Sequence, residues 1–136
     1  MTARISVIVP VYNGESRLDK SVGSLQRQAL RDIEIVVVND ASTDCSKALI
    51  DRLAKDDTRI KAIHLTENVG VHEARLAGLK SATAPFIGFL DADDVARPRM
   101  FDKLLTEAEH CSADIVVCGS DIVTPEGALV ESKIRF

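Results

Sequence analysis

Tryptophan is absent, and the chain carries one tyrosine and four phenylalanines among 136 residues. With aromatics at 4%, the interior must be built from Val, Ile, Leu and Ala. Only three cysteines occur, Cys45, Cys111 and Cys118, and they form neither a CxxC pair nor a zinc-finger spacing. They are expected to be reduced, mostly buried thiols of a cytoplasmic protein. No apolar run approaches the ~20 residues that a membrane span requires, so no membrane contact is expected from this segment. Met1-Thr2-Ala3-Arg4 opens without a leader pattern and runs into a strand-like stretch. No run of Lys or Arg occurs and the formal net charge is −4, which gives no footing for nucleic acid. The three histidines, His64, His72 and His110, lie far apart in sequence and form no ligand pattern. His64 falls in an apolar run and reads as structural.

Two phosphate-binding signatures are also missing. GxGxxG is absent, which argues against a dinucleotide enzyme, and GxxxxGK[ST] is absent, which argues against a common ATPase.

What remains is 46% hydrophobic and 28% charged, the balance of a globular domain. At this length one domain, spanning 1–136, can bury a core. The apolar period switches repeatedly between two and 3.6. Ile5–Val9 reads as a strand closed by Pro10, and Glu15–Leu30 places Leu18, Val22, Leu25 and Ala29 at helical spacing. Ile33–Val38 is the near-continuous apolar run of a strand covered on both faces. Ser42 or Thr43 is expected to cap a helix whose inner face is Cys45, Ala48, Leu49 and Leu53. Ile60–Leu65 predicts a third strand. Val71, Ala74, Ala77 and Gly78 predict a helix with a small-residue face. Pro85 precedes a fourth strand, Phe86–Leu90. Pro98 fits the first turn of a helix carrying Phe101, Leu104, Leu105 and Ala108. Asp114–Cys118 is expected as a fifth strand, with a short one around Ala128–Val130 after the turn Pro125-Glu126-Gly127. Alternating strands and helices predict an α/β fold with a mainly parallel sheet, whose ligand loops follow the carboxyl ends of the strands.

The chemistry sits in those loops. After the fourth strand come Asp91, Asp93 and Asp94, three carboxylates within four residues. Two like charges about 5 Å apart repel by roughly 3 kcal/mol at an effective dielectric of about 20. A divalent cation offsets that repulsion, and Mg²⁺ or Mn²⁺ favours such oxygen donors together with substrate phosphate and water. A leaving diphosphate needs the same cation. After the second strand, Asp40 is aimed out of the sheet edge. An ionised carboxylate only accepts, so it suits the N3–H of uracil and opposes the acceptor N3 of cytosine. Asn39, Asp40 and Ser42 would also serve as plain helix-capping groups. Arg75, one turn into the third helix, offers a planar donor fork for phosphate or carboxylate. A receiver-type phosphoacceptor domain would need acids at the end of the first strand, where only Glu15 follows Pro10 and Asn13. A sugar nucleotidyltransferase would need a Gly-rich first loop, which is missing.

Four ordered blocks carry a resemblance: Val7-Ile8-Val9-Pro10-Val11-Tyr12-Asn13; Val38-Asn39-Asp40-Ala41-Ser42-Thr43-Asp44; Asn68-Val69-Gly70 with Ala74-Arg75; and Phe89-Leu90-Asp91-Ala92-Asp93-Asp94. The chain resembles the family-2 glycosyltransferases of the GT-A fold, in the portion that binds the nucleotide-sugar. The resemblance implies a three-layer α/β/α Rossmann-like domain, truncated before the acceptor-binding segment. It implies that Pro10, Val11, Tyr12, Asn13 and Glu15 line the nucleoside pocket, that Asp40 binds the uracil edge, and that Arg75 lies close to the nucleotide. Asp91, Ala92 and Asp93 would form the DxD motif, Asp93 a ligand of Mn²⁺ or Mg²⁺ and Asp91 a metal ligand nearer the ribose. The implied reaction moves a sugar from a UDP-sugar to an acceptor hydroxyl, on a sugar or a lipid-linked carrier of polysaccharide synthesis, with inversion. The catalytic base is expected beyond Phe136, so no residue here is assigned that role and this segment alone would be inactive. A non-catalytic nucleotide-binding or regulatory module is the alternative. The chain departs from the family pattern at Asn39, where Asp is usual, at Ala41, where Gly is frequent, and at Leu76, where Asn often follows the Arg.

Overall fold

A computed structural model describes residues 2–133. Its elements run β1 (Ile5–Val11), α1 (Leu18–Gln26), β2 (Ile33–Asn39), α2 (Ser46–Asp56), β3 (Ile60–His64), α3 (Val71–Ser81), β4 (Phe86–Phe89), α4 (Met100–Cys111), β5 (Ser120–Val123) and β6 (Leu129–Lys133). They fall into two compact units, Met1–Phe101 and Asp102–Phe136.

The first unit holds a parallel four-stranded sheet in the order β3-β2-β1-β4. β1 is its centre, pairing Ile5 with Ile33 on one side and with Phe86 on the other. Both β1 and β2 are buried along nearly their whole length, as strands covered on two faces must be. Ile8, Val36, Val38 and Ala74 form a core cluster, backed by Ile63, Leu65, Ala77 and Ile87. This is where α3 lies, its Ala74 and Gly78 buried so that the helix comes close to the sheet. Alternation sends Val7, Val9, Ile35 and Val37 to the other face, where they are fully buried. Right-handed crossovers from β1 to β2 and from β2 to β3 place α1 and α2 on that face, and the return from β3 to β4 places α3 opposite. The three-layer α/β/α arrangement with a parallel sheet is therefore as the sequence predicts. Because β1 is followed by β2 on one side and flanked by β4 on the other, the topological switch point falls at the carboxyl ends of β1 and β4.

Several local expectations need correction. α1 begins at Leu18, after a turn in which the Arg17 and Leu18 N–H groups both donate to the Gly14 carbonyl. Neither Ser42 nor Thr43 caps α2. The helix starts at Ser46, whose N–H donates to the Asp44 carboxylate at 2.9 Å. Ser46 is fully buried, and its hydroxyl accepts from Gly14 N at 2.9 Å. That inward serine sets the helix phase, so the buried face is Ser46, Ile50 and Leu53, with Cys45 and Ala48 exposed. All three cysteines are free and exposed. Cys45 lies in the loop before α2, Cys111 ends α4 and donates to Glu107, and Cys118 follows α4 in irregular chain.

The second unit runs from Asp102 to Phe136. Its strands β5 and β6 form an antiparallel hairpin, with Ser120 opposite Lys133 and a bulge at Ile122/Val123. The turn is closed by Gly127 N donating to the Thr124 carbonyl, which places the last strand where the sequence expects it. Asp114–Cys118 is not a strand: it is irregular, with Ile115 83% and Val117 70% exposed. A β-branched run becomes a strand only beside a partner for its backbone groups, and among the described residues none pairs with it.

Candidate nucleotide site

The carboxyl edge of the sheet is assembled by side chains that satisfy backbone groups of neighbouring loops. Asp40 follows β2 directly and its N–H donates to the Val11 carbonyl, extending the β1–β2 ladder by one residue. Its carboxylate is buried, 3% exposed, and accepts from Val69 N at 2.8 Å and Gly70 N at 2.9 Å. The Asn68 amide closes the same corner by donating to the Asp40 carbonyl. Gly70 sits at φ +88°, the left-handed region that favours glycine, and this conformation lets two successive N–H groups face one carboxylate. Asp40 thus pins the entrance of α3 to the end of β2.

The first loop is tied to the second reciprocally. Asn13 N donates to Ser42 Oγ at 3.0 Å, and Asn13 Oδ1 accepts from Thr43 N at 2.8 Å. Glu15 N donates to Asp44 Oδ2 at 3.2 Å, and Glu15 Oε2 accepts from Cys45 N at 2.7 Å. These bonds require Gly14 between them to come close: a Cβ there would lie 2.6 Å from Val11 Cγ2. Asn13 and Ala41 adopt positive φ, which the cross-loop bonds hold in place. Pro10 and Val11 are buried at the end of β1, and Tyr12 is half exposed beside them.

The third cluster belongs to the β4 edge. Arg75 Nη2 donates to Asp91 Oδ1 at 2.6 Å, and its guanidinium lies 5.9 Å from the centre of the Phe89 ring. Of the other Arg75 donors, Nε is buried and has no hydrogen-bond partner. Ser21 Oγ donates to the Asp91 carbonyl and Asp94 N donates to the same oxygen, which shapes the turn that carries Ala92 and Asp93. Asp93 is largely exposed, with Arg17 Nη1 3.5 Å from its carboxylate. Burial, and then the charges of Asp93 and Asp91, push the Asp94 carboxyl above its ordinary range. Arg75 pairs with Asp91 and Arg17 approaches Asp93, so two arginines stand beside the acidic turn.

The structure brings the sequence-predicted residues together in two groups. Val11, Asn13, Glu15 and Asp40 share the β1–β2 end, and Arg75, Asp91, Ala92 and Asp93 share the β4 end. Ala92 links them, its Cβ 3.8 Å from where a Cβ at Gly14 would be. Sequence reasoning missed Ser42, Asp44 and Ser46 as ties to the first loop, and Arg17 and Ser21 as partners of the acidic turn. Ser42 and Asp44 stood inside a recognised block, where Ser42 read as a helix-capping group and Asp44 was given no role.

The acidic turn suits Mg²⁺ or Mn²⁺ in donor type. Among the described residues no three His, Cys, Asp or Glu side chains converge as a metal cluster. The turn can supply one or two carboxylates, Asp93 foremost, which is the usual protein share for a cation also held by phosphate and water. Among the described residues, no helix is long and apolar enough to cross a membrane. The catalytic base expected beyond Phe136 lies outside the described residues.

Residues 6–135 match the family described as glycosyl transferase family 2. The Bacillus subtilis (strain 168) glycosyltransferase EpsJ is 44% identical over 119 residues, 88% of this chain and 34% of EpsJ. The crystal structure of Staphylococcus aureus TarS 1-349 in complex with UDP-GlcNAc superposes with a TM-score of 0.73 at 29% identity, covering 81% of this chain and 32% of that one. The mannosyltransferase PcManGT from Pyrobaculum calidifontis, solved with GDP-Man and Mn²⁺, gives a TM-score of 0.71 at 27% identity over 93% of this chain and 37% of its own. The chain thus spans about a third of the length of the relatives it matches.

Proposed function

Since the chain belongs to glycosyl transferase family 2, we propose that it forms the donor-binding portion of a glycosyltransferase, holding a UDP-sugar with a divalent cation for inverting transfer to an acceptor hydroxyl. The observation that carries this reading is the convergence of Asp40, Arg75 and the Asp91–Asp93 turn on the carboxyl edge of β1, β2 and β4. Open α/β sheets bind their ligands at that edge. The TarS complex with UDP-GlcNAc and the PcManGT complex with GDP-Man and Mn²⁺ support a nucleotide-sugar and a divalent metal.

Each residue has a role its geometry permits. Asp40 uses one lone pair of each oxygen on backbone N–H groups, leaving acceptor capacity for the N3–H of uracil. Pro10, Val11 and Tyr12 supply the wall for the base, and the Asn13–Glu15 loop is held rigid by its bonds to the second loop. Arg75, beside Asp91, offers a planar donor fork suited to an oxygen of the nucleotide. Asp93, with Asp91, would hold the cation. When bound, such a cation supplies the positive charge that stabilises the departing diphosphate. The acceptor, a sugar or lipid-linked carrier, and the base that deprotonates it are assigned to the part of the relatives' length beyond this chain. Three exposed free thiols suit the reducing cytoplasm, where nucleotide-sugars would be met.

The nucleobase assignment is tested by calorimetry with UDP, GDP and CDP in the presence of Mn²⁺. UDP is expected to bind at least about tenfold more tightly than CDP, the scale of a charged group left opposed to an acceptor. Equal affinity for the two would remove Asp40 from base recognition.

A further inference from the structure

A polar relay runs from the second loop to the surface of α2. Asn39 ends β2 and pairs in register with His64, which ends β3. Ser42 N donates to Asn39 Oδ1 at 3.0 Å. A backbone N–H can only donate, so this bond orients the amide: its oxygen faces Ser42 and its nitrogen faces His64. Asn39 Nδ2 lies 3.2 Å from His64 Nδ1. The amide nitrogen has only protons to offer, so Nδ1 must accept and carries none. The ring proton is then on Nε2, which donates to Asp51 Oδ1 at 2.8 Å. Asp51 Oδ2 accepts from Lys47 Nζ at 2.8 Å. Asn39 is 3% exposed, so its amide is largely shut off from solvent.

We propose that His64 is a positioning residue for donor binding: its neutral, Nε2-protonated ring lets Asn39 hold the turn that presents Asp40 and Ser42, and protonation of the ring releases that turn. The proposal rests on the donor reading above. Protonated Nδ1 would set an N–H against the Asn39 N–H groups. Turning the amide over would set those same groups against Ser42 N–H. The first arrangement loses the Asn39–His64 bond that holds the amide in place; the second loses the Ser42–Asn39 bond of the turn, and the Ser42 hydroxyl that accepts from Asn13 N moves with it. Asp51 and, behind it, Lys47 are the charged groups of α2 at the ring, and from β2 the ring meets the neutral Asn39. A carboxylate at position 39 would reverse the logic, because it accepts from Ser42 N and from a protonated Nδ1 together.

The test uses the whole chain. Long-range proton–nitrogen NMR at about pH 8, above the ordinary histidine range, is expected to show His64 protonated on Nε2 alone. UDP-GlcNAc affinity with Mn²⁺, a probe whose diphosphate has no proton to lose here, is then measured between about pH 8 and about pH 5.5. The wild type is expected to weaken by roughly threefold to tenfold more than His64→Gln does, the range one neutral hydrogen bond spans. Asn39→Asp is expected to lose or reverse that excess. An Nδ1-protonated ring, or the same pH profile in all three proteins, overturns the proposal. If UDP-GlcNAc fails to bind at any pH, the donor reading is what falls. The relay is still judged by the Ser42 amide, whose exchange protection must drop between about pH 8 and about pH 5.5; unchanged protection overturns it.

Discussion

Arg75 and Asp91 meet at 2.6 Å across the gap between α3 and the end of β4, and the bond leaves the Arg75 Nε–H buried without an acceptor. A pair built for stability alone would use that donor. With the two side chains 37% and 50% exposed, the pair contributes little to folding, about 0–1 kcal/mol. Arg75→Lys is therefore expected to change the urea midpoint little. It should weaken UDP binding by about tenfold, since lysine keeps the charge but loses the planar fork. Parallel urea and calorimetric titrations check both halves.

Asp40 carries the opposite balance. Its carboxylate is buried and satisfies Val69 N and Gly70 N at the same time. Asp40→Ala leaves both donors without their partner and should cost about 2–4 kcal/mol in urea unfolding. Asp40→Asn retains one acceptor and should cost less, while still losing preference for uracil.

Asp94 gives a pH signature. Its folded pKa is raised, first by burial and then by Asp93 and Asp91. A carboxyl raised on folding favours the fold while protonated, below its unfolded value near 3.8, and that contribution is lost as pH rises through the folded pKa. Asp94→Asn should therefore raise Tm at neutral pH, and the gain should fade as the pH falls below about 4. Thermal melts across that range check the sign.

Asp57 shows the reverse sign. Arg59 holds its carboxyl down to about 2, helped by Gln26. Its contribution is present above 3.8 and is lost as pH falls toward 2. Asp57→Asn should cost about 1–2 kcal/mol at neutral pH, less than the full shift implies because water still reaches the pair. The difference from wild type should close in acid.

Gly78 tests the packing beneath the site. A Cβ there would lie 2.5 Å from Ile8 Cγ2 and 3.1 Å from Val38 Cγ2, both in the buried core of the sheet. Gly78→Ala gains helix propensity but overpacks that contact, for a net loss of about 1–2 kcal/mol in urea unfolding.

The parallel sheet was legible because β1 and β2 are doubly covered and so read as nearly continuous apolar runs, interrupted at Ser6 and Glu34. The small face of α3 was legible in Ala74 and Gly78. Asp114–Cys118 misled because propensity reports what a side chain favours and is silent on whether a ladder partner stands beside it. The face of α2 was read from apolar spacing, yet a serine, Ser46, points inward for a hydrogen bond to Gly14 that no periodicity encodes. The same holds at the site. Asp40 and Asp91 stood out as acids after strands, but their partners, Val69 N, Gly70 N and Arg75, come from elsewhere in the chain and only the fold brings them in.

Calorimetry of UDP with and without Mn²⁺, on the wild type and on Asp93→Ala, reaches the central claim most directly. The wild type should bind UDP more tightly with the metal, and Asp93→Ala should lose that metal-dependent part while keeping the metal-free part. Identical metal dependence in the two proteins, or none in either, would contradict the account.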